Sequence, residues 1–268
     1  MHEDQIADLP KRRLSIRILG VDINFFASAE AALEAIAATP ASDSLHLCYV
    51  NAHSLNLSCS NQAFAATLGR AGIVLNDGIG LQLAARMRGC RFPVNLNGSD
   101  FTIQLLRLVA SQGWTVFLYG AKPGIAVAAG ERLTQSIPGL RIAGIRDGYG
   151  PASPQSVIEA VRESQADVLI VALGQPQQEL WLDRYLALTE CRLGLGVGAF
   201  LDFASGSARR APRWMNRLGV EWMFRLAREP RRLASRYLLG NPLFLWRAWS
   251  RRHEPHGLDD GREPAAPR

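Results

Sequence analysis

Residues Leu75 to Gly80 read Leu-Asn-Asp-Gly-Ile-Gly, and they set an acid where chemistry can be done. The apolar run Ile73-Val74-Leu75 ahead of them suits a buried parallel strand. Behind them, Leu81 to Met87 are helix formers without a breaker. Asp77 therefore stands at a strand-to-helix turn, on the sheet edge where open α/β folds bind ligands. As alternatives, it caps the helix or makes a turn with Gly78. A second polar group is Gly174-Gln175-Pro176-Gln177-Gln178-Glu179, which opens a helix with amide donors and a carboxylate acceptor for a polar ligand. A third, Gly120-Ala121-Lys122, either turns backbone amides and an ammonium towards a diphosphate or is a plain strand–helix loop.

Other chemistries find no support. Gly78-Ile79-Gly80 and Gly196-Val197-Gly198 lack the third glycine of a dinucleotide site, because Leu83 and Leu201 stand there. There is no phosphate-binding Gly-x-x-x-x-Gly-Lys-Ser/Thr loop and no Gly-x-Ser-x-Gly nucleophile turn. Cys48, Cys59, Cys90 and Cys191 are scattered, which argues against zinc and disulfides and suits a reducing compartment. No Asp-x-Asp pair offers itself to a divalent ion, although Asp100 and Asp147 leave metal binding open. No cofactor is expected.

The elements that must position these residues alternate between short buried strands and longer helices. Leu14–Leu19, Leu45–Val50, Ile73–Leu75, Trp114–Tyr119, Leu140–Ile145, Asp167–Leu173 and Leu193–Val197 read as strands. Helices are expected over Ala29–Ala38, capped by Ser28, and over Asn61–Leu68, Leu81–Met87, Asp100–Ser111, Ile125–Gln135, Pro154–Ser164 and from Gly174 to about Thr189. The fold class is α/β: a Rossmann-like, largely parallel sheet with helices on both faces.

Charge divides the chain. Ser207 to Arg252 holds twelve arginines and two acids, a balance of +10 in a chain of net +6, so the remainder carries −4. Trp214, Leu218, Trp222 and Leu226 recur at helical spacing beside arginines, and Pro230 and Pro242 break the rest of the segment into short helices. Four segments are expected: a tail over 1–13, the α/β domain over 14–206, a basic helical appendage over 207–252 and a disordered tail over 253–268. A chain ending near Gly206 would then keep its fold. Such a basic piece seeks phosphate, on nucleic acid, anionic lipid or a phosphorylated substrate. With Met1–Pro10 acidic and polar, and no apolar run long enough for a membrane span, a cytosolic protein is expected.

Asp77-Gly78-Ile79-Gly80, Gly98-Ser99-Asp100, Gly174 to Glu179, Gly196 to Asp202, Arg210-Ala211-Pro212, Glu221 to Arg225, Glu229 to Arg232 and Arg236-Tyr237 come in the same order as in a known family. In this the chain resembles the WecG/TagA/CpsF glycosyltransferases, glycosyltransferase family 26, over roughly Leu14 to Trp249. The resemblance implies an inverting, metal-independent transfer of a sugar (N-acetylmannosamine, its uronic acid, glucose or similar) from a UDP-sugar. The acceptor would be a polyprenyl-diphosphate-linked saccharide, at the cytoplasmic face of the inner membrane, in surface polysaccharide biosynthesis. It implies Asp77 as general base, with Asn51 and Gln178 on the sugar. Arg210 and the appendage arginines, Arg225 and Arg232 among them, would meet diphosphate. Asn95, Gly120, Tyr149 and Glu179 complete the expected substrate site, with UDP near Gly120, Tyr149 and Gln178. The chain departs from the family at Tyr49, Asn95 and Gln177, where threonine, arginine and lysine are usual, which bears on donor choice and on activity. Other readings are an impaired family member, or a basic module for nucleic acid or phospholipid. Against nucleic acid, the arginines flank a tryptophan stripe at helical spacing, which suits a membrane interface better than a stacking platform. A homo-oligomer is compatible with all of these.

Overall fold

A computed structural model describes residues 15–149, 153–212, 215 and 220–253. Six parallel strands form one sheet in the order β4-β3-β8-β7-β5-β6. They are β3 (Leu45–Val50), β4 (Ile73–Asn76), β5 (Thr115–Gly120), β6 (Arg141–Arg146), β7 (Val168–Ala172) and β8 (Leu193–Gly196). β3, β4, β7 and β8 are buried at every residue. Helices cover both faces, which is why these strands read as continuous apolar runs and not as alternations. On one face Leu47, Leu118, Ile170 and Leu195 pack under α1 (Ala29–Ala37), α5 (Gly98–Ser111), α6 (Ile125–Ser136) and α9 (Phe200–Ala204). On the other, Cys48, Val50 and Val74 meet α2 (Ala52–Ser58), α3 (Gln62–Arg70) and α4 (Ile79–Met87). Further along that face Leu169 and Val171 meet α7 (Pro154–Glu163) and α8 (Gln177–Tyr185). The expected Rossmann-like α/β architecture is present.

Two local elements escape the sequence reading. Where a single strand is expected, β1 (Ser15–Ile18) and β2 (Val21–Asn24) form an antiparallel hairpin. Its turn puts Leu19 and Gly20 at φ of 51° and 81°. Two successive positive φ angles give the tight turn that suits strand twist, and a leucine there conceals it. Asn24 Oδ1 accepts from Val74 N at 2.7 Å, satisfying a donor beside edge strand β4. The second element is α2, directly after β3, where no helix is expected. Ser28 does cap α1, its hydroxyl accepting from Ala31 N.

The basic segment folds into α10 (Glu221–Arg228), α11 (Pro230–Ala234), a π-helical turn over Ser235–Leu239 and α12 (Gly240–Ser250). Pro230 opens α11, where a missing N–H leaves no bond unmade, and Pro242 lies in the first turn of α12, just past the π-helical turn. Phe244 and Ala248 of α12 are buried in the cluster of Val50, Leu55 and Leu81. Asn56 of α2 donates to Gly240 O at 2.7 Å and accepts from Arg247, while Arg88 donates to Arg251 O at 2.8 Å. α12 thus completes the core beneath α2 and α4, so a chain ending near Gly206 would leave that core open. Trp214 and Leu218, the expected tail over 1–13, the expected tail over 253–268 apart from His253, and the side chain of Arg232 lie outside the described residues.

Candidate active site at the carboxyl edge of the sheet

β3 and β4 pair in register, Val50 opposite Asn76, so the next residues, Asn51 and Asp77, leave the sheet side by side. Asp77 N donates to Val50 O at 2.8 Å. Asn51 caps α2: its Oδ1 accepts from His53 N at 3.0 Å and Ser54 N at 3.2 Å. Ser54 Oγ in turn accepts from Asn51 N at 3.0 Å. With its oxygen so engaged, Asn51 turns its amide nitrogen to Asp77 Oδ2, a long contact of 3.4 Å. After Asp77 the chain passes through Gly78 at φ 92°, a conformation that favours glycine. Asn95 Oδ1 accepts from Gly78 N at 2.9 Å and holds that turn.

Burial raises the Asp77 carboxyl above its usual range. Arg225, the Asn51 bond and Arg236 pull the other way, and Glu221 adds to the rise. Both arginines and Glu221 belong to the C-terminal segment, which brings its charge to the Asp77 turn. Arg225 pairs with Glu221 at 2.7 Å and lies over the Phe203 ring, 4.9 Å from its centre. The ion pair lies within α10, and the ring contact joins α10 to α9, beyond β8. His53 is pushed down to about 4 by burial and then by Arg236, so its imidazole is neutral near pH 7.

From β7 the chain enters α8 through Gly174, at φ 80°, and a cis Gln175–Pro176 bond. Gln178 Oε1 accepts from Gly174 N at 3.2 Å and Gly198 N at 3.0 Å, bracketing the loops after β7 and β8. Its side chain lies flat on Gly196, where a Cβ would come within 2.7 Å of Nε2. Gln178 and Glu179 are 2% and 1% exposed, so both stand behind the cleft. Gln175 is half-buried and nearer the opening. It donates to Tyr49 O at 3.1 Å and to Glu179 Oε1 at 3.2 Å. Tyr49 itself points away, its hydroxyl 3.1 Å from Thr102 Oγ1 and its ring under Gly98.

The remaining expected residues fall on other parts of the edge. Gly120 ends β5 at φ 117°, where a Cβ would lie 2.5 Å from Ala172 O, so only glycine fits. Tyr149 follows β6, 62% exposed, with its N–H on Asp147 Oδ1. Arg210 pairs with Asp100 in the first turn of α5 at 2.6 Å. Asn51, Asp77, Asn95 and Arg225 are gathered at the β3–β4 end, with Gly120 and Tyr149 on the β5–β6 side. Ser54 and Phe203 were not singled out from sequence, and Gln175 and Glu221 were named there only within longer motifs. An asparagine followed three residues later by a serine is a helix-cap signal that would have found α2 and, with it, Ser54.

This edge thus sets a partly buried acid beside the arginines of a C-terminal helical segment. The chain belongs to the glycosyl transferase WecG/TagA/CpsF family, whose family model matches residues 16–257. It is similar to the N-acetylglucosaminyldiphosphoundecaprenol N-acetyl-β-D-mannosaminyltransferase of Bacillus spizizenii, 33% identical over 172 residues. That match takes in 64% of this chain and 66% of the relative. The protein of the same name from Bacillus subtilis is 32% identical over 163 residues, 61% of this chain and 63% of the relative. The chain thus spans just under two thirds of the curated relatives it matches.

Proposed function

We propose that this chain is an inverting glycosyltransferase that moves a sugar from UDP to a saccharide carried on a polyprenyl diphosphate. The observation that carries the reading is Asp77, half-buried at the carboxyl edge, held by Asn51 and faced by Arg225 and Arg236. Asp77 takes the proton of the acceptor hydroxyl as its oxygen attacks the anomeric carbon. The bond from that carbon to the diphosphate oxygen breaks, and UDP departs from the opposite face with inversion. Burial raises the carboxyl, which makes the carboxylate a stronger proton acceptor. Asn51 is suited to the sugar hydroxyls, and Gly120 and Tyr149 to the nucleotide. Arg210, Arg225 and Arg232 supply the positive charge that the departing diphosphate needs. On this reading the charge comes from arginine and not from a metal ion. The names of the two relatives support N-acetylmannosamine as the sugar and N-acetylglucosaminyl-diphosphoundecaprenol as the acceptor, a step of surface polysaccharide synthesis.

The same reading attaches the protein to an anionic membrane. Leu238, Leu239, Leu243, Trp246 and Trp249 are exposed, Leu239 by 71% and Trp246 by 62%. Arg228, Arg231, Arg251 and Arg252 lie on the same segment. Apolar side chains beside cations fit a lipid surface with acidic headgroups. Among the described residues no helix is long and apolar enough to cross a membrane.

The test is UDP release from UDP-N-acetylmannosamine with a short-chain prenyl-diphospho-N-acetylglucosamine acceptor, with and without EDTA. Asp77→Asn should lower turnover by ~10²–10⁴-fold while UDP still binds by calorimetry. Wild-type turnover in that variant, or strict dependence on Mg²⁺ or Mn²⁺, would overturn the base or the metal-independent mechanism respectively.

A further inference from the structure

Glu179 carries an anomaly. It is 1% exposed, and its Oε2 is buried with no hydrogen-bond partner. A buried carboxyl with an unused oxygen is costly and needs a reason. Its other oxygen, Oε1, accepts from Gln178 Nε2 at 2.9 Å and Gln175 Nε2 at 3.2 Å. From Gln175 the bonds continue towards the cleft. Gln175 spends its second amide hydrogen on Tyr49 O, and its Oε1 lies 3.1 Å from Ser54 Oγ. Ser54 has one hydroxyl proton and two acceptors in reach, Gln175 Oε1 and Asn51 Oδ1 at 3.2 Å. Asn51 Oδ1 already takes two backbone N–H groups, so the proton goes to Gln175. The oxygen of Ser54 then receives Asn51 N, and Asn51 Nδ2 faces Asp77.

We propose that Glu179 is a positioning residue for Asp77, acting through Gln175, Ser54 and Asn51. This rests on the reading of Asp77 as the base. Two acceptors hold the Gln175 amide with its nitrogen pointing in and its oxygen to Ser54, namely Glu179 Oε1 and Tyr49 O. If Glu179 weakens as an acceptor, one Gln175 hydrogen is left buried and the Tyr49 bond alone holds the amide, which loosens Ser54 and Asn51 behind it. The device responds to pH, because burial pushes Glu179 up to about 7 against its hydrogen bonds from Gln178, its own backbone and Gln175. The other titratable groups around it are silent there. On β3, the Cys48 thiol is raised well above its usual value by burial, then by Glu179, and His46 is pushed down to about 4 by burial. On α2, His53 is near 4, and on α8, Asp183 is lowered by Arg70.

The experiment is side-chain amide NMR of the full chain between pH 5.5 and 8.5, on wild type, Asp77→Asn and Glu179→Gln. The Gln175 and Asn51 amide signals should move together in wild type with one midpoint near 7, keep that midpoint in Asp77→Asn and lose it in Glu179→Gln. Turnover of Glu179→Gln should fall by about tenfold at pH 8, a 1.4 kcal/mol change in barrier. Its acid limb should lose the inflection near 7. A wild-type Asn51 signal that ignores the midpoint seen at Gln175, or a Glu179→Gln profile identical to wild type, overturns the proposal. If Glu179→Gln does not fold, the comparison of wild type with Asp77→Asn still decides, since a midpoint that persists once Asp77 is gone cannot belong to Asp77, the other raised carboxyl of the cluster. Full turnover in Asp77→Asn with the NMR midpoint intact would defeat the base reading alone.

Discussion

A methyl group placed on Gly80 would meet Phe244 Cε1 at 3.5 Å and Ala52 Cβ at 3.3 Å. The first turn after Asp77 therefore rests on α12. Phe244 is 1% exposed, and from there α12 leads back through the π-helical turn to Arg236 and α10, whose charges act on Asp77. The geometry of the acid and the seating of the basic segment are one packing problem.

Phe244→Ala should accordingly cost ~3–5 kcal/mol, the range for emptying a buried aromatic site. Urea unfolding followed by fluorescence measures it. A chain ending at Gly206 should unfold at lower urea still, or fail to fold, because Val50, Leu55 and Leu81 lose their cover. A stable truncated chain would show that α12 is dispensable to the core.

Asn95 accepts from Gly78 N and so acts on the Asp77 turn. Asn95→Ala should cost ~1 kcal/mol, the usual net contribution of one hydrogen bond. Its kinetic effect should fall on kcat, with the KM for the UDP-sugar kept. A raised KM with unchanged kcat would instead make Asn95 a contact to the donor.

The folded chain holds a proton on Glu179 up to about pH 7, whereas an unfolded glutamate releases it near 4.5. The stabilisation from that proton is full below pH 4.5 and is lost as pH rises through 7. Wild type should therefore lose stability relative to Glu179→Gln between pH 4.5 and 7, on the order of 3 kcal/mol. Chemical denaturation of both proteins at pH 5 and 8 gives the difference; a pH-independent gap between them would contradict the buried, raised carboxyl.

Flotation with anionic liposomes tests the exposed leucine and tryptophan face. Each basic residue near such a surface contributes ~1 kcal/mol, and that part weakens as the Debye length falls from ~10 Å at 0.1 M to ~3 Å at 1 M salt. Trp246→Ala with Trp249→Ala should remove a salt-resistant remainder without affecting the core, since both rings are more than half exposed. Equal flotation of the double variant and wild type at 1 M salt would exclude these side chains from the membrane contact.

The alternation of apolar strands and amphipathic helices determined the parallel sheet and put Asp77 at its carboxyl edge, because a strand buried on both faces must be continuously apolar. The run of arginines likewise marked the C-terminal segment by its charge alone. What the order of residues did not contain is which way the side chains face. Gln178 and Glu179 read as an amide donor and a carboxylate acceptor for a ligand, yet the helix they open turns them inward, and Gln175 of the same motif stands nearer the cleft. The Leu19–Gly20 turn was hidden because leucine seldom adopts positive φ, and only the docking of the hairpin beside β4 holds it there. Phe244 and Ala248 were indistinguishable in sequence from Trp246 and Trp249, all four being apolar residues of one helix. Tertiary packing alone chose the first pair for the core and left the second to solvent, since a helix buries whichever stripe its neighbours cover.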